Sequence, residues 1–189
     1  FIKGNVDVKG LIEDNELSEA KLDAMNAKGC YIVIGEGGKA EFMSKFKVAE
    51  ELLDSRTKLY AISIATKTTY GNCDLGKFAD VRRNNYKILA ACLSKHPQLE
   101  VIFDILPDDV VPFMLPVLIH EDRKDFQQYI AGHNVYPTVI WACPDELKDT
   151  VSDVAMNVYN SIICFHCDQR YDESDMIKVA DIVDSYFGK

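Results

Sequence analysis

Residues 164–171 read CFHCDQRY and place two cysteines, a histidine, an acid and an arginine in one short stretch. The apolar residues from Ser161 to Phe165 predict a buried strand that ends here. Three interpretations are open at this point. The spacing of Cys164 and Cys167 suits half of a zinc site or a redox pair, or else the stretch is a strand end that delivers Arg170 to a pocket. The rest of the chain has to decide among them.

The composition is that of an acidic protein with an ordinary apolar content. Its 189 residues are 48% hydrophobic, which is enough to build the core of one domain. A net charge of -9 disfavours nucleic acid and anionic lipid as partners. No apolar run approaches the roughly 18 residues that a bilayer requires, and we expect a cytoplasmic protein with no membrane partner. The start, FIKGN, lacks a methionine, which indicates a piece of a longer polypeptide or a processed terminus.

The first third of the chain is predicted to be mainly helical. Residues 16–28 have apolar side chains at mixed helical spacing and stop at Gly29, a typical C-terminal cap. The apolar run CYIVI, residues 30–34, is predicted as a buried strand or extended segment that enters the turn GEGG. Residues 39–56 predict an amphipathic helix, and the polar residues 66–74 predict a linker or crossover.

Beyond residue 74, helices and strands alternate. Helices are predicted at residues 74–96, 125–131, 146–157 and 175–187, and strands at residues 99–106, 110–120, 135–142 and 161–165. The short PDD turn between the first two strands favours an antiparallel pair. This order predicts an α/β fold, an α+β sandwich with helices over one sheet face. We therefore divide the chain into a helical connecting region, residues 1–73, and an α/β domain, residues 74–189.

The two cysteines of CFHCDQRY fit the zinc and redox interpretations poorly. A redox CxxC normally begins a helix, whose N-terminal amides lower the thiol pKa, whereas this one closes a strand. A structural zinc ion needs four ligands, and the nearest other candidates, Cys143 and His133, lack a matching spacing. The strand-end interpretation is therefore favoured: we expect no metal site, and we expect Cys164 and Cys167 to pack as small core residues.

Four stretches, taken in order, resemble the C-terminal region of the DegT-type sugar aminotransferases, which depend on pyridoxal phosphate. They are RRNNYKIL (82–89), VVPFMLPVLI (110–119), NVYPTVIWACP (134–144) and CFHCDQRYDESDM (164–176). The resemblance covers roughly residues 40–189. It implies an aspartate-aminotransferase-like fold, in which residues 74–189 are the small domain, with a mixed or antiparallel sheet covered by helices. Residues 1–73 are then expected to complete a larger cofactor domain.

The resemblance also implies a function and a set of site residues. The parent enzyme is expected to move an amino group from an amino acid to a keto-sugar, often nucleotide-linked, and to work as a homodimer. Arg170 is expected to hold the donor carboxylate, while Trp141 and Tyr136 line the entrance. The lysine that binds the cofactor is expected upstream of residue 1, so no catalytic residue and no covalent cofactor are assigned to this chain. Lys67, in ATKTT, is the one internal candidate for that lysine.

Two alternatives stay open on the sequence alone. The chain could be a non-catalytic α/β module that binds a ligand or assists assembly without a cofactor site of its own. It could also be a small α/β enzyme with Cys143 or Cys167 as nucleophile, although neither cysteine has an evident histidine partner.

Overall fold

The structure is a computed structural model that describes residues 11–140 and 142–188, and it divides into two compact units between Cys73 and Asp74. The first unit contains helices α1 (Asn15–Gly29), α2 (Lys39–Asp54) and α3 (Ile64–Gly71), and a π-helical segment at Cys30–Ile34. The helices of the second unit are α4 (Leu75–Leu93), α5 (Arg123–Gly132), α6 (Asp153–Ser161) and α7 (Glu173–Phe187). Its strands are β1 (Leu99–Val101), β2 (Met114–Ile119) and β3 (Ile162–His166).

Helices α1 and α2 pack against each other as a pair. Ala24 of α1 and Ala49 of α2 are fully buried, and such small side chains allow two helix backbones to approach closely. Lys45 forms an ion pair with Asp23 across the pair, with an N–O distance of 3.1 Å. The two predicted helices of this unit are confirmed, but the prediction that Gly29 caps the first of them is wrong, since Gly29 has a helical backbone.

The prediction of a strand at residues 30–34 is wrong. Gly29 keeps a helical backbone, so α1 continues through the π-helical segment until Gly35, where φ is 78°. The amide of Gly35 donates to the carbonyl of Cys30 over 3.0 Å and closes the segment. An apolar run needs a neighbouring strand to become part of a sheet, and no strand is present among the described residues of this unit.

Residues 66–74, predicted as a linker, mostly belong to helix α3. Ser63 begins this helix by accepting a hydrogen bond from the amide of Thr66 over 3.1 Å, as N-terminal serines commonly do. The threonines of the segment are weak helix formers, which is why the sequence alone suggested irregular structure.

The second unit is built on a three-stranded antiparallel sheet in the order β1-β2-β3. Leu115 of β2 lies opposite Phe165 of β3, and Val117 lies opposite Ile163. These side chains share one face, and the buried residues of α4, α5 and α7 pack with them in a single core. The predicted α/β fold, with an antiparallel pair formed by the first two strands, is confirmed.

Two predicted strands are shorter than their composition suggested. The strand predicted at 99–106 ends at Val101, because the next residue, Ile102, lies opposite Pro116. Ile102 donates to the Pro116 carbonyl over 3.3 Å, but proline has no N–H to return, so the ladder stops there. The second strand begins at Met114, which lies opposite His166, the last residue of β3.

Two further predictions in this unit are wrong in part. Among the described residues of 135–142, only Thr138 pairs with a strand, exchanging two 2.8 Å backbone hydrogen bonds with Cys164. β-Branched composition favours extended backbone but supplies no partner along its length. The helix predicted at 146–157 is instead a 3₁₀ turn at Asp145–Leu147 followed by α6, which Ser152 caps.

Candidate functional site

One end of the sheet brings together the loop that contains Arg170 and the loop between the first two strands. Strand β3 ends there, strand β2 begins there, and the loop between β1 and β2 returns there. The middle of α4 attaches these loops through its side chains. The Tyr86 hydroxyl donates to the Phe103 carbonyl over 2.6 Å, and Arg83 Nε donates to the Val110 carbonyl over 3.0 Å. Helix α4 therefore determines the course of the loop between the first two strands.

The loop after β3 is attached to the same helix by two side chains. Asn85 is buried, and its carboxamide nitrogen lies within 3.4 Å of the carbonyl of Cys167, 3.2 Å of that of Asp168 and 2.9 Å of that of Tyr171. Arg82 Nε donates to Gln169 Oε1 over 2.7 Å. Buried backbone carbonyls need donors of this kind, so these contacts hold the loop in one conformation.

Asp168 and Arg170 form a bidentate ion pair within this loop. Arg170 donates from Nε to Asp168 Oδ1 and from Nη2 to Oδ2, each over 2.8 Å. The Asp168 side chain is 7% exposed, whereas that of Arg170 is 68% exposed. The hydrogen bonds from Arg170 lower the pKa of Asp168 although its burial acts in the opposite direction.

This ion pair predicts a specific acid sensitivity. Because the pKa of Asp168 is lower in the folded protein than the roughly 3.9 of an unfolded chain, its contribution to stability is complete above that value. It is lost as the pH falls through the folded pKa. We expect Asp168→Asn to flatten the fall in unfolding free energy between about pH 5 and pH 2, measured by urea denaturation at each pH. An unchanged pH dependence in the variant would contradict the contribution of the pair.

The two cysteines of CFHCDQRY do not lie side by side. Cys167 belongs to the core on the helix-covered face, with Ile163 and Phe165, whereas Cys164 lies on the opposite face of β3. Burial raises the pKa of both thiols, that of Cys167 to about 12, with the negative charge of Asp168 adding to the effect. Among the described residues no cluster of three metal-binding side chains is present. Both cysteines have the environment of packing residues.

We expect these two thiols to be unreactive in the folded protein. At pH 8, Ellman's reagent should modify exposed Cys30 quickly and should modify Cys164 and Cys167 only after unfolding in urea. Mass spectrometry of the labelled peptides distinguishes the sites. Rapid labelling of Cys167 in the native protein would contradict the burial described above.

The other residues proposed from the sequence are not gathered with Arg170 in the same way. Tyr136 is 65% exposed, and its hydroxyl donates to Asn134 Oδ1 at 3.5 Å, the limit of a hydrogen bond. It precedes Thr138, which pairs with β3. Trp141 lies outside the described residues. Lys67 is exposed on α3, in the first unit.

Sequence reasoning missed the residues that hold the loop. In the sequence, Arg82 and Asn85 stand out only as members of the motif RRNNYKIL, which indicates no partners for them. Their spacing of three residues on a predicted helix was a usable signal, because such residues lie on one helix face. The exposed aromatic residues Phe103 and Phe113 of the neighbouring loop were also missed, since both had been assigned to strands.

The second unit is an α/β fold, a small antiparallel sheet packed on helices, with an arginine in the loop after its last strand. One solved structure that is similar to this chain is the sugar aminotransferase CalS13 from Micromonospora echinospora, with a TM-score of 0.52 and 15% identity over 59% of this chain. The aminotransferase TlmJ from Streptoalloteichus hindustanus matches with a TM-score of 0.47 and 16% identity over 60% of this chain.

The matched region covers 31% of CalS13 and 33% of TlmJ, so the part of this chain that is similar to CalS13 spans less than a third of the length of that protein. The likeness to CalS13 confirms, for the fold, the resemblance found in the sequence. No protein-family model and no curated protein matches the sequence. None of the helices in residues 11–140 and 142–188 is both long enough and apolar enough to cross a membrane.

Proposed function

We propose that this chain is the C-terminal portion of a pyridoxal-phosphate-dependent aminotransferase of the DegT type, acting on a keto-sugar with an amino acid donor. The four motifs and the fold of a sugar aminotransferase support this proposal together. The observation that carries it is the position of Arg170. Its guanidinium is fixed by Asp168 on one edge, and no described residue accepts a hydrogen bond from Nη1. A carboxylate can bind to that open edge through two parallel hydrogen bonds.

The described residues do not by themselves fit pyridoxal phosphate. A site for it requires a lysine for the Schiff base and an acid beside the pyridine nitrogen. Lys67 is exposed on a short helix, and no carboxylate or hydroxyl is paired with its amino group among the described residues. We therefore assign the cofactor-binding residues of the enzyme to a part of the protein outside these residues, and residues 1–73 to the connection with it.

In the proposed enzyme, residues 74–189 form the wall that closes over the reacting groups. Arg170 holds the donor carboxylate and so orients the amino acid, while Tyr136 and Trp141 line the entrance. Orientation of this kind raises the rate because the reacting atoms no longer have to find each other. The enzyme is proposed to be a cytoplasmic homodimer with small-molecule substrates, consistent with the acidic composition that disfavours nucleic acid.

The test is to purify the protein from the complete gene. We expect a yellow protein whose visible absorption disappears on borohydride reduction, leaving a covalent adduct that mass spectrometry locates. Adding an amino acid donor before reduction should prevent the adduct. The Lys67→Ala variant is the matched control and should form the same adduct as the wild type.

Two results would contradict the proposal. A colourless protein that binds no pyridoxal phosphate would support the non-catalytic module instead. Loss of the adduct in Lys67→Ala would show that Lys67 is the cofactor lysine, and the assignment of that lysine to another part of the protein would be wrong.

A further inference from the structure

The guanidinium of Arg170 has two edges that can each bind a carboxylate. Asp168 occupies the edge formed by Nε and Nη2, with two 2.8 Å hydrogen bonds. The edge formed by Nη1 and the second hydrogen of Nη2 points away from Asp168 and receives no acceptor among the described residues. A guanidinium is planar and rigid, so fixing one edge also fixes the direction of the other.

Asp168 is itself held from both sides. Its carbonyl accepts from Asn85 over 3.2 Å, and its side-chain Oδ1 accepts from the backbone amide of Arg170 over 3.1 Å. Asn85 also lies within hydrogen-bonding distance of the carbonyls on either side of the pair, those of Cys167 and Tyr171. The direction of the Arg170 guanidinium therefore follows from the position of α4, through a buried amide and a buried carboxylate.

We propose that Asp168 is a positioning residue, which fixes Arg170 so that the open edge of its guanidinium receives the carboxylate of an amino acid, with Asn85 fixing the loop. That the carboxylate belongs to an amino acid rests on the proposed function. The positioning itself rests on the contacts within residues 82–172. Besides Asp168, the ring of Tyr171 lies near the guanidinium, with its centroid 5.5 Å from the central carbon of Arg170.

Asp168 has two opposite effects on a bound anion. Its negative charge repels the anion and so weakens binding, while the order it imposes on a long, exposed side chain strengthens binding. The charge lies on the far edge of the guanidinium, and the Arg170 side chain that separates it from the anion is 68% exposed, so water screens part of the repulsion. In contrast, an arginine side chain that no partner holds loses its full conformational freedom when it binds the anion. The two effects predict opposite changes in anion affinity for Asp168→Asn: loss of repulsion would strengthen binding, and loss of order would weaken it. We infer that the ordering effect is the larger one.

The experiment follows the arginine side chains of the 189-residue chain by NMR, after labelling with ¹⁵N-arginine. Sodium acetate is the probe, titrated against sodium chloride at equal ionic strength. In the wild-type chain we expect a slowly exchanging Nε–Hε signal from Arg170 and a shift of its signals with acetate. In Asp168→Asn we expect fast exchange of this signal and an affinity for acetate that is about three- to tenfold lower. Asp184→Asn, which removes the carboxylate paired with His96, is the matched control and should behave as wild type.

Equal or tighter acetate binding in Asp168→Asn would overturn the proposal, because charge repulsion would then be the larger effect. A rapidly exchanging Arg170 signal in the wild type would overturn it without any variant. In the Arg170→Lys background, followed by the Nε–Hε signal of Arg82, which donates to the neighbouring Gln169, Asp168→Asn should have no further effect on acetate binding, since it acts through the guanidinium. An undiminished effect there would also count against the proposal. None of these measurements involves the cofactor, so a colourless full-length protein would overturn the proposed function alone.

Discussion

Replacing Phe126 by alanine is expected to lower the free energy of unfolding by about 3–5 kcal/mol. Phe126 lies on α5 and is completely buried in the core beneath the sheet. Its ring contacts those of Phe165, Tyr186 and Phe187, with centroid distances of 6.4, 5.1 and 5.5 Å. The substitution removes this apolar surface and leaves a cavity between a strand and two helices, which the rigid sheet cannot fill.

The loss is measured by urea denaturation followed by circular dichroism. The matched control is Phe113→Ala, because Phe113 is a largely exposed phenylalanine of the same unit. We expect the control to change the unfolding free energy by less than about 0.5 kcal/mol. If both variants lost similar stability, Phe126 would not occupy the core position described here. At the low end of ordinary stability, about 5 kcal/mol, a loss of about 5 kcal/mol would leave about half of the Phe126→Ala molecules folded.

The second large effect is expected at Asn85. Asn85→Ala removes the amide that lies between the carbonyls of Cys167, Asp168 and Tyr171, and leaves these acceptors without that donor in a poorly hydrated site. We expect a loss of about 2–3 kcal/mol in unfolding free energy, because buried groups without partners retain their full cost of desolvation. In the NMR experiment, the Nε–Hε signal of Arg170 should also exchange faster.

Asn84 provides an unusually close control for this prediction. It is the same residue type at the adjacent position of α4, but its side chain is exposed. Asn84→Ala should therefore be neutral or slightly stabilising, since alanine is the better helix former. Equal losses in the two variants would show that the loop after β3 does not depend on the buried amide.

The helices of this protein could mostly be predicted from the sequence, since their signals are local. Asp74 caps α4 by accepting from the amide of Lys77, and Asp172 and Asp175 form a capping box at the start of α7. Such signals need only residues within one turn of each other. The errors in the strands fell where structure depends on a distant partner. CYIVI had no strand to join, and β1 was shortened by a proline in β2.

The candidate site shows the same division. Arg170 could be placed at a strand end from the sequence, because a run of apolar residues precedes it. The bidentate partner of Arg170 could not be predicted, since several acidic residues lie near Arg170 in the chain and their spacing does not indicate which one pairs with it. The motif RRNNY likewise does not indicate which of its two adjacent asparagines faces the core. The ends of a predicted helix, and hence the orientation of its faces, are uncertain by more than one residue.

By itself, the sequence determined the alternation of helices and strands, the antiparallel pairing of β1 with β2 and the place of Arg170 after the last strand. Those features follow from periodicity, caps and turn length, which act over a few residues. Only the tertiary structure decided that Asn85 is buried against the loop after β3 and that Asp168 holds the guanidinium. These depend on which surfaces are buried together, and burial is set by residues that are far apart in the chain.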